Sequence, residues 1–152
     1  MNESIEKSSD YFKYPDIEHE VNEFERVSRE FREDGEFEID SSVLMFLAHE
    51  GEMISLGEDV WSALENTESN MLQEGDWQSV HKYSNPGGVQ KRDWEELQGK
   101  FDAGTTLDAP IIMKFRNRYH LVSGNTRLMI SRAKGIVPKV LLFEVYLGEE
   151  KI

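Results

Sequence analysis

Along the first hundred residues the apolar positions recur with helical spacing. Ile17, Val21, Phe24, Val27 and Phe31 fall 4, 3, 3 and 4 apart, which places them on one stripe of a helix from Asp16 to Asp34 that Gly35 would end. A short strand is expected at Glu36–Ile39. A second helix, from Asp40 or Ser41 to about His49, is expected to bury Val43, Leu44 and Leu47 with Phe46 beside them, and to stop at Gly51. Ser55-Leu-Gly-Glu58 has the spacing of a capping box, opening a helix that carries Val60, Trp61 and Leu64. Asn66–Asn70 reads as a turn, and Gly75-Asp76-Trp77 starts a short helix through His81. Asn85-Pro-Gly-Gly88 is the strongest loop signal. Asp93 then caps a helix with Glu96 three residues on, Trp94, Leu97 and Phe101 forming its stripe and Ala103-Gly104 closing it.

The period changes after residue 104. Pro110–Phe115 is a nearly continuous apolar run, the pattern of a strand covered on both faces. Asn117 suits a turn, and Tyr119–Val122 returns, predicting a hairpin. Asn125–Lys134 reads as a helix closed by Gly135, and Val137–Tyr146 as a long strand. The expected fold is α+β: a small mixed sheet with a strand–turn–strand–helix–strand unit, preceded by several helices. Three regions follow: a flexible start at 1–15, a mainly helical acidic region at 16–104, and the αβ unit at 105–152, all in one domain.

Charge divides the chain at the same place. The net −13 is made of 22 Asp+Glu against 5 Lys+Arg in residues 1–76, or −17, and 8 against 12 in residues 77–152, or +4. An acidic surface repels nucleic-acid phosphates and disfavours duplex DNA as a partner, whereas the positive half suits an anion. The sequence has no cysteine, which excludes disulfides, thiolate metal sites and cysteine nucleophiles. No apolar run approaches the roughly 20 residues that cross a bilayer, and Met1–Tyr14 is polar and acidic rather than signal-like. A cytoplasmic protein without a membrane partner is the simplest reading.

Ser123-Gly124-Asn125-Thr126-Arg127 lies where the second hairpin strand becomes the helix. A glycine there allows a sharp turn, and the amides of the first helical turn point at whatever sits above. The amides of Asn125, Thr126 and Arg127 would donate to phosphate oxygens, and the Arg127 guanidinium would add a bidentate contact. The Ser123 and Thr126 hydroxyls would donate to phosphate or help hold Mg2+. The competing reading is a tight turn at Gly124 and an ion pair between Arg127 and the acidic helix. Arg132 and Lys134 sit further along the helix, away from the junction. Asp108, Glu144 and His120 are the catalytic candidates, the two acids for a metal or a nucleophile and the histidine as a base; the alternative is that each is structural. Strand alternation puts His120 and Val122 on one face and Tyr119, Leu121 and Ser123 on the other. His19, His49 and His81 have no partners at ligand spacing, so no metal ligands are assigned.

The order of elements, together with Asp108-Ala-Pro-Ile111 and Gly124-Asn-Thr-Arg127, resembles the ParB/sulfiredoxin superfamily over about Thr105–Val145, a little over a quarter of the chain. The whole is also similar to small proteins of tailed phages. The resemblance implies binding of a nucleoside triphosphate, ATP or CTP, with Mg2+, and a possible role as an NTPase or small-molecule phosphotransferase, in the host cytoplasm if phage-encoded. Sulfiredoxins carry a cysteine in this motif and this chain has none, so that reductase chemistry is excluded. Partition proteins add a helix-turn-helix domain, for which the chain has no room after the unit. Free-serine kinases read Asp-Gly-His-Thr-Arg where this sequence has Ser123-Gly-Asn-Thr-Arg127, so binding carries over better than catalysis. Two further alternatives stand: a non-catalytic protein whose acidic half binds a basic protein partner, and a ParB-like nuclease.

Overall fold

The computed structural model describes residues 11–84 and 91–147. The chain starts with β1 (Phe12–Lys13) and a 3-10 turn (Ile17–Glu20), then α1 (Val21–Glu33), α2 (Ser41–His49), β2 (Glu52–Ser55), α3 (Glu58–Ala63) and β3 (Leu64–Glu65). A second 3-10 turn (Ser69–Met71) leads to α4 (Trp77–Ser84) and α5 (Lys91–Asp102). The remainder is β4 (Leu107–Asp108), β5 (Ile111–Phe115), β6 (Arg118–Ser123), α6 (Asn125–Lys134) and β7 (Lys139–Val145).

Five strands form one mixed sheet in the order β2-β7-β5-β6-β3, and β1 pairs in parallel with β4 in a separate two-stranded sheet. The central strand β5 runs antiparallel to β6 and parallel to β7, so the hairpin expected from the sequence is present, turning at Arg116 with φ 58°. Its apolar run is continuous because both faces are covered. Ile111, Met113 and Phe115 join Val122 and Phe143 under Phe24, Val27 and Phe31 of α1 and Leu44 of α2. Ile112 and Leu121 pack on the other face with Trp61 and with Leu128 of α6. A third cluster wraps the outer side of α6, where Met129, Ile130 and Ala133 meet Phe12, Val80, Phe101 and Leu107. No helix among the described residues is long and apolar enough to cross a membrane.

Several expectations are revised. Glu36–Ile39 is not a strand, because its backbone is committed to α1: the Glu36 amide donates to the Phe31 carbonyl at 2.8 Å, the Ser28 hydroxyl donates to the Ile39 carbonyl at 2.6 Å, and Phe37 stacks on Phe31 with ring centroids 4.8 Å apart. On α2 the buried side chains are Leu44 and Ala48, while Val43 and Phe46 stand 47% and 62% exposed. Ser55 ends an edge strand rather than capping a helix. Gly57 takes the N-cap position without a side-chain bond, and Glu58 turns to Arg132. Leu64 belongs to β3, parallel to β6. Within the stretch read as a flexible start, Phe12 is buried and β1 pairs with Leu107–Asp108. The Asn85–Gly88 loop, the side chains of Asp93 and Trp94, residues 1–10 and the charged tail lie outside the described residues.

Candidate functional site

The strand-to-helix junction is built as its sequence demands. Ser123 closes β6 opposite Ile111. Gly124 follows with φ 110° and ψ 24° as the N-cap of α6, a left-handed backbone that side-chain-bearing residues avoid. A Cβ there would also lie 2.6 Å from the Cβ and 2.8 Å from the Cα of Pro110. Glycine is therefore required both by conformation and by the close approach of the Asp108-Ala-Pro-Ile111 segment. Gly124, as the N-cap, has no side chain with which to cap the first turn, and the first bond of the helix runs from the Leu128 amide to the Gly124 carbonyl at 2.9 Å. The amides of Asn125, Thr126 and Arg127 thus end the helix with their donors directed outward.

A cavity of about 660 Å³ opens over this end, and all of Ser123–Arg127 line it. Its walls come from distant parts of the chain: Lys13 from β1, Glu20 from the turn before α1, Lys100 from α5 and Asp108 from β4. The β1–β4 pairing brings Lys13 opposite Asp108, and the Asp16 amide donates to an Asp108 carboxylate oxygen at 3.1 Å.

Arg127 is held rather than loose. Its guanidinium donates to the Asp108 carbonyl and, at 3.3 Å, to the Ser123 hydroxyl oxygen. Glu20 lies 3.9 Å away, and the arginine and glutamate side chains are 15% and 17% exposed. Burial pulls the Arg127 pKa below its ordinary value, while the charges of Glu20 and Asp108 oppose that. Arg127 lines the cavity and lies beside an acid of the helical half, the ion pair that the competing sequence reading expected.

Asn125 points its side chain the other way and braces the junction. The Trp61 indole donates to the Ser69 hydroxyl at 2.8 Å, and that hydroxyl lies 2.8 Å from the Thr67 hydroxyl. Thr67 in turn donates to Asn125 Oδ1 at 2.6 Å, and Asn125 Nδ2 donates to Glu68 at 2.9 Å. Such a chain of donors polarises along its length and fixes the first residue of α6 in place.

The other candidates are not brought together. Among Asp108, Glu144 and His120, only Asp108 lines the cavity. Glu144 sits beside Lys114 at 3.8 Å, toward the hairpin-turn end of the sheet where Lys114 pairs with Tyr119, whereas Ser123 lies at the Ile111 end. His120 packs edge-on to Phe31, its centroid 4.9 Å away, with Nδ1 3.4 Å from Glu65. Its Nε2 is buried without a hydrogen-bond partner. Burial lowers the His120 pKa from its ordinary 6.5, and Glu65 pulls weakly the other way. Glu65 is itself gripped by one edge of the Arg118 guanidinium, Nε and Nη2 donating at 2.9 and 3.1 Å, while Nη1 donates to Glu36 at 2.8 Å, which makes His120 part of a structural cluster. Arg132 and Lys134 stay clear of the junction, on Glu58 and Asp102.

Glu20, Lys13 and Lys100 escaped the sequence reading. Glu20 projects onto the apolar stripe between Val27 and Phe31, and an acid at such a position was the local signal that it is turned inward. The Tyr11-Phe12 pair before Lys13 was the available hint that this stretch docks.

The cavity is lined by the donors of Ser123–Arg127 at its floor and by the carboxylates of Glu20 and Asp108 on its walls. Among the described residues no group of three or more histidines, cysteines and acids is placed to hold a metal by itself. Two carboxylates do suit Mg2+, which keeps several waters and binds through one or two carboxylates plus phosphate oxygens. No family model matches this sequence, and no curated protein or solved structure matches it either.

Proposed function

We propose that this protein binds a nucleoside triphosphate, ATP or CTP, with Mg2+, its phosphates resting on the α6 N-terminus. The observation that carries this reading is the coincidence of the 660 Å³ cavity with all five residues of Ser123–Arg127. Three outward amides and the positive end of the helix dipole favour an anion there. Lys13 and Lys100 on the wall suit the outer phosphates. The resemblance to the ParB/sulfiredoxin superfamily points the same way. Mg2+ would be held by Glu20 and Asp108 and would supply neutralisation of the phosphate charge.

Phosphoryl transfer or hydrolysis is mainly positioning and charge stabilisation, and the one proposed acid on the cavity, Asp108, is the residue on which turnover would rest. A second reading, a surface for a basic protein partner, is favoured by Val43 and Phe46. They are exposed one turn apart on α2 within the acidic half, and exposed apolar side chains are what an interface buries.

The test is a thermal-shift screen of the four ribonucleoside triphosphates with Mg2+, because a ligand that binds only the folded chain raises its melting temperature. At least one is expected to raise it, confirmed by calorimetry, and Arg127→Ala is expected to abolish the shift. Its buried contacts also make that variant less stable, so its folding is checked by circular dichroism. Absence of binding by the wild type for all four nucleotides contradicts the reading.

A further inference from the structure

Glu20 ends the 3-10 turn Ile17–Glu20 and stands at the N-cap position of α1, and its side chain makes no bond to the amides of that first turn. Its carboxylate reaches across the fold instead: Oε1 accepts from the Ser123 hydroxyl at 2.8 Å, and Oε2 lies 3.9 Å from Arg127 Nη2. Ser123 and Arg127 are side-chain donors at the floor of the cavity, and Glu20 lines the same cavity. A carboxylate thus already sits on the donors that a phosphate would use.

Two anions within reach of one arginine repel, the more so where the side chains are mostly buried, as those of Glu20 and Arg127 are. A metal-free polyphosphate entering this cavity meets Glu20 at the donors and Asp108 beside them. A polyphosphate carrying a divalent cation does not, since the cation places opposite charge between the carboxylates and the phosphate oxygens. Resting on the phosphate reading of this cavity, we infer that Glu20 is an internal stand-in for the phosphate that restricts the site to cation-bound polyphosphates. The ligand class is therefore the Mg2+ complex of a triphosphate, and the free tetra-anion is excluded by the chain's own carboxylate. Glu23 also lines the cavity, but its carboxylate is turned to Arg26 at 3.0 Å, so it serves as the control.

The experiment is calorimetric titration of the full chain with ATP and with inorganic tripolyphosphate, each in Mg2+ and in EDTA. The wild type is expected to bind in Mg2+ and at least about tenfold more weakly in EDTA. Glu20→Gln keeps an acceptor for Ser123 but removes the charge, and is expected to bind in EDTA at least about tenfold more tightly than the wild type does. Glu20→Ala carries the same expectation if the glutamine variant does not fold. Glu23→Gln is expected to match the wild type in both buffers. Equal wild-type affinity in Mg2+ and EDTA, or a metal-free affinity that neither Glu20 variant changes, overturns the role of Glu20 and leaves the phosphate reading standing. No binding by any variant in either buffer overturns the phosphate reading, and this inference with it.

Discussion

At its carboxyl-terminal end α6 borders a cavity of about 510 Å³ lined by Arg132, Gly135 and Ile136, but the polar groups of its last turn are paired. Gly135, with φ 74°, sends its amide to the Arg132 carbonyl at 3.1 Å, and Ile136 sends its own to the Ser131 carbonyl at 2.9 Å, so the last turn is satisfied by backbone. Arg132 lies 3.8 Å over the Trp61 ring and pairs with Glu58 at 2.7 Å, and Lys134 pairs with Asp102 at 2.8 Å. The amino-terminal end also starts from a left-handed glycine, which has no side chain to cap it, and the amides of its first turn face the cavity of about 660 Å³. The same residue type in the same backbone region ends the helix in one case and begins it in the other. What separates the two ends is the company each glycine keeps. Gly135 faces the carboxylate of Glu74, at 2.6 Å from a would-be Cβ, whereas Gly124 faces the ring and backbone of Pro110.

That contrast is broken most forcefully by a methyl group at each glycine. Gly124→Ala combines left-handed strain with displacement of a proline that cannot swing aside, and is expected to lower stability by about 2–4 kcal/mol. Gly135→Ala has the same strain, but the exposed Glu74 side chain can turn away, so a loss of about 1 kcal/mol is expected. Urea denaturation of the two variants measures the difference, and equal losses would show that Pro110 does not set the geometry of the junction.

The smallest effect concerns His120, in the β6 strand that leads to the open end. Its folded pKa lies below 6.5 because of burial. As pH falls through 6.5 the unfolded chain takes up the proton first, so stability is fully present above that value and declines below it. His120→Asn is expected to flatten the stability profile between about pH 7 and pH 5, as read by denaturation at each pH. An unchanged slope would show that His120 titrates in the folded protein much as it does in the unfolded chain.

The carboxyl-terminal unit was legible nearly residue by residue. The run of Pro110–Phe115, the bounds of Asn125–Lys134 and the two glycines all follow from local rules, and the strand and helix they predict are there. Strand alternation also placed His120 and Val122 on one face and Leu121 on the other, as the two core clusters confirm. The helical half was legible only where its stripe was long, as in Ile17–Phe31. Glu52–Ser55 and Leu64–Glu65 were missed because short edge strands are specified by the partner they meet, Lys139–Leu142 and Tyr119–His120, rather than by their own pattern. Exposed Val43 and Phe46 show the same limit, since periodicity marks an apolar face without saying what covers it. The floor of the cavity was read from five consecutive residues. Its walls at Lys13, Glu20 and Lys100 were not, because contacts across the fold join them to the junction, and local pattern does not say which distant segment a residue meets.

The central claim is that the uncapped end of α6 receives phosphate, and the amide resonances of Asn125, Thr126 and Arg127 report on it directly. In a 1H–15N titration with the Mg2+ complexes of ATP and CTP, these three amides are expected to show the largest shifts, with Lys13 and Lys100 moving less and the closed end at Arg132–Ile136 unmoved. Saturating shifts elsewhere with Asn125–Arg127 unchanged, or no shifts at millimolar nucleotide, would contradict it.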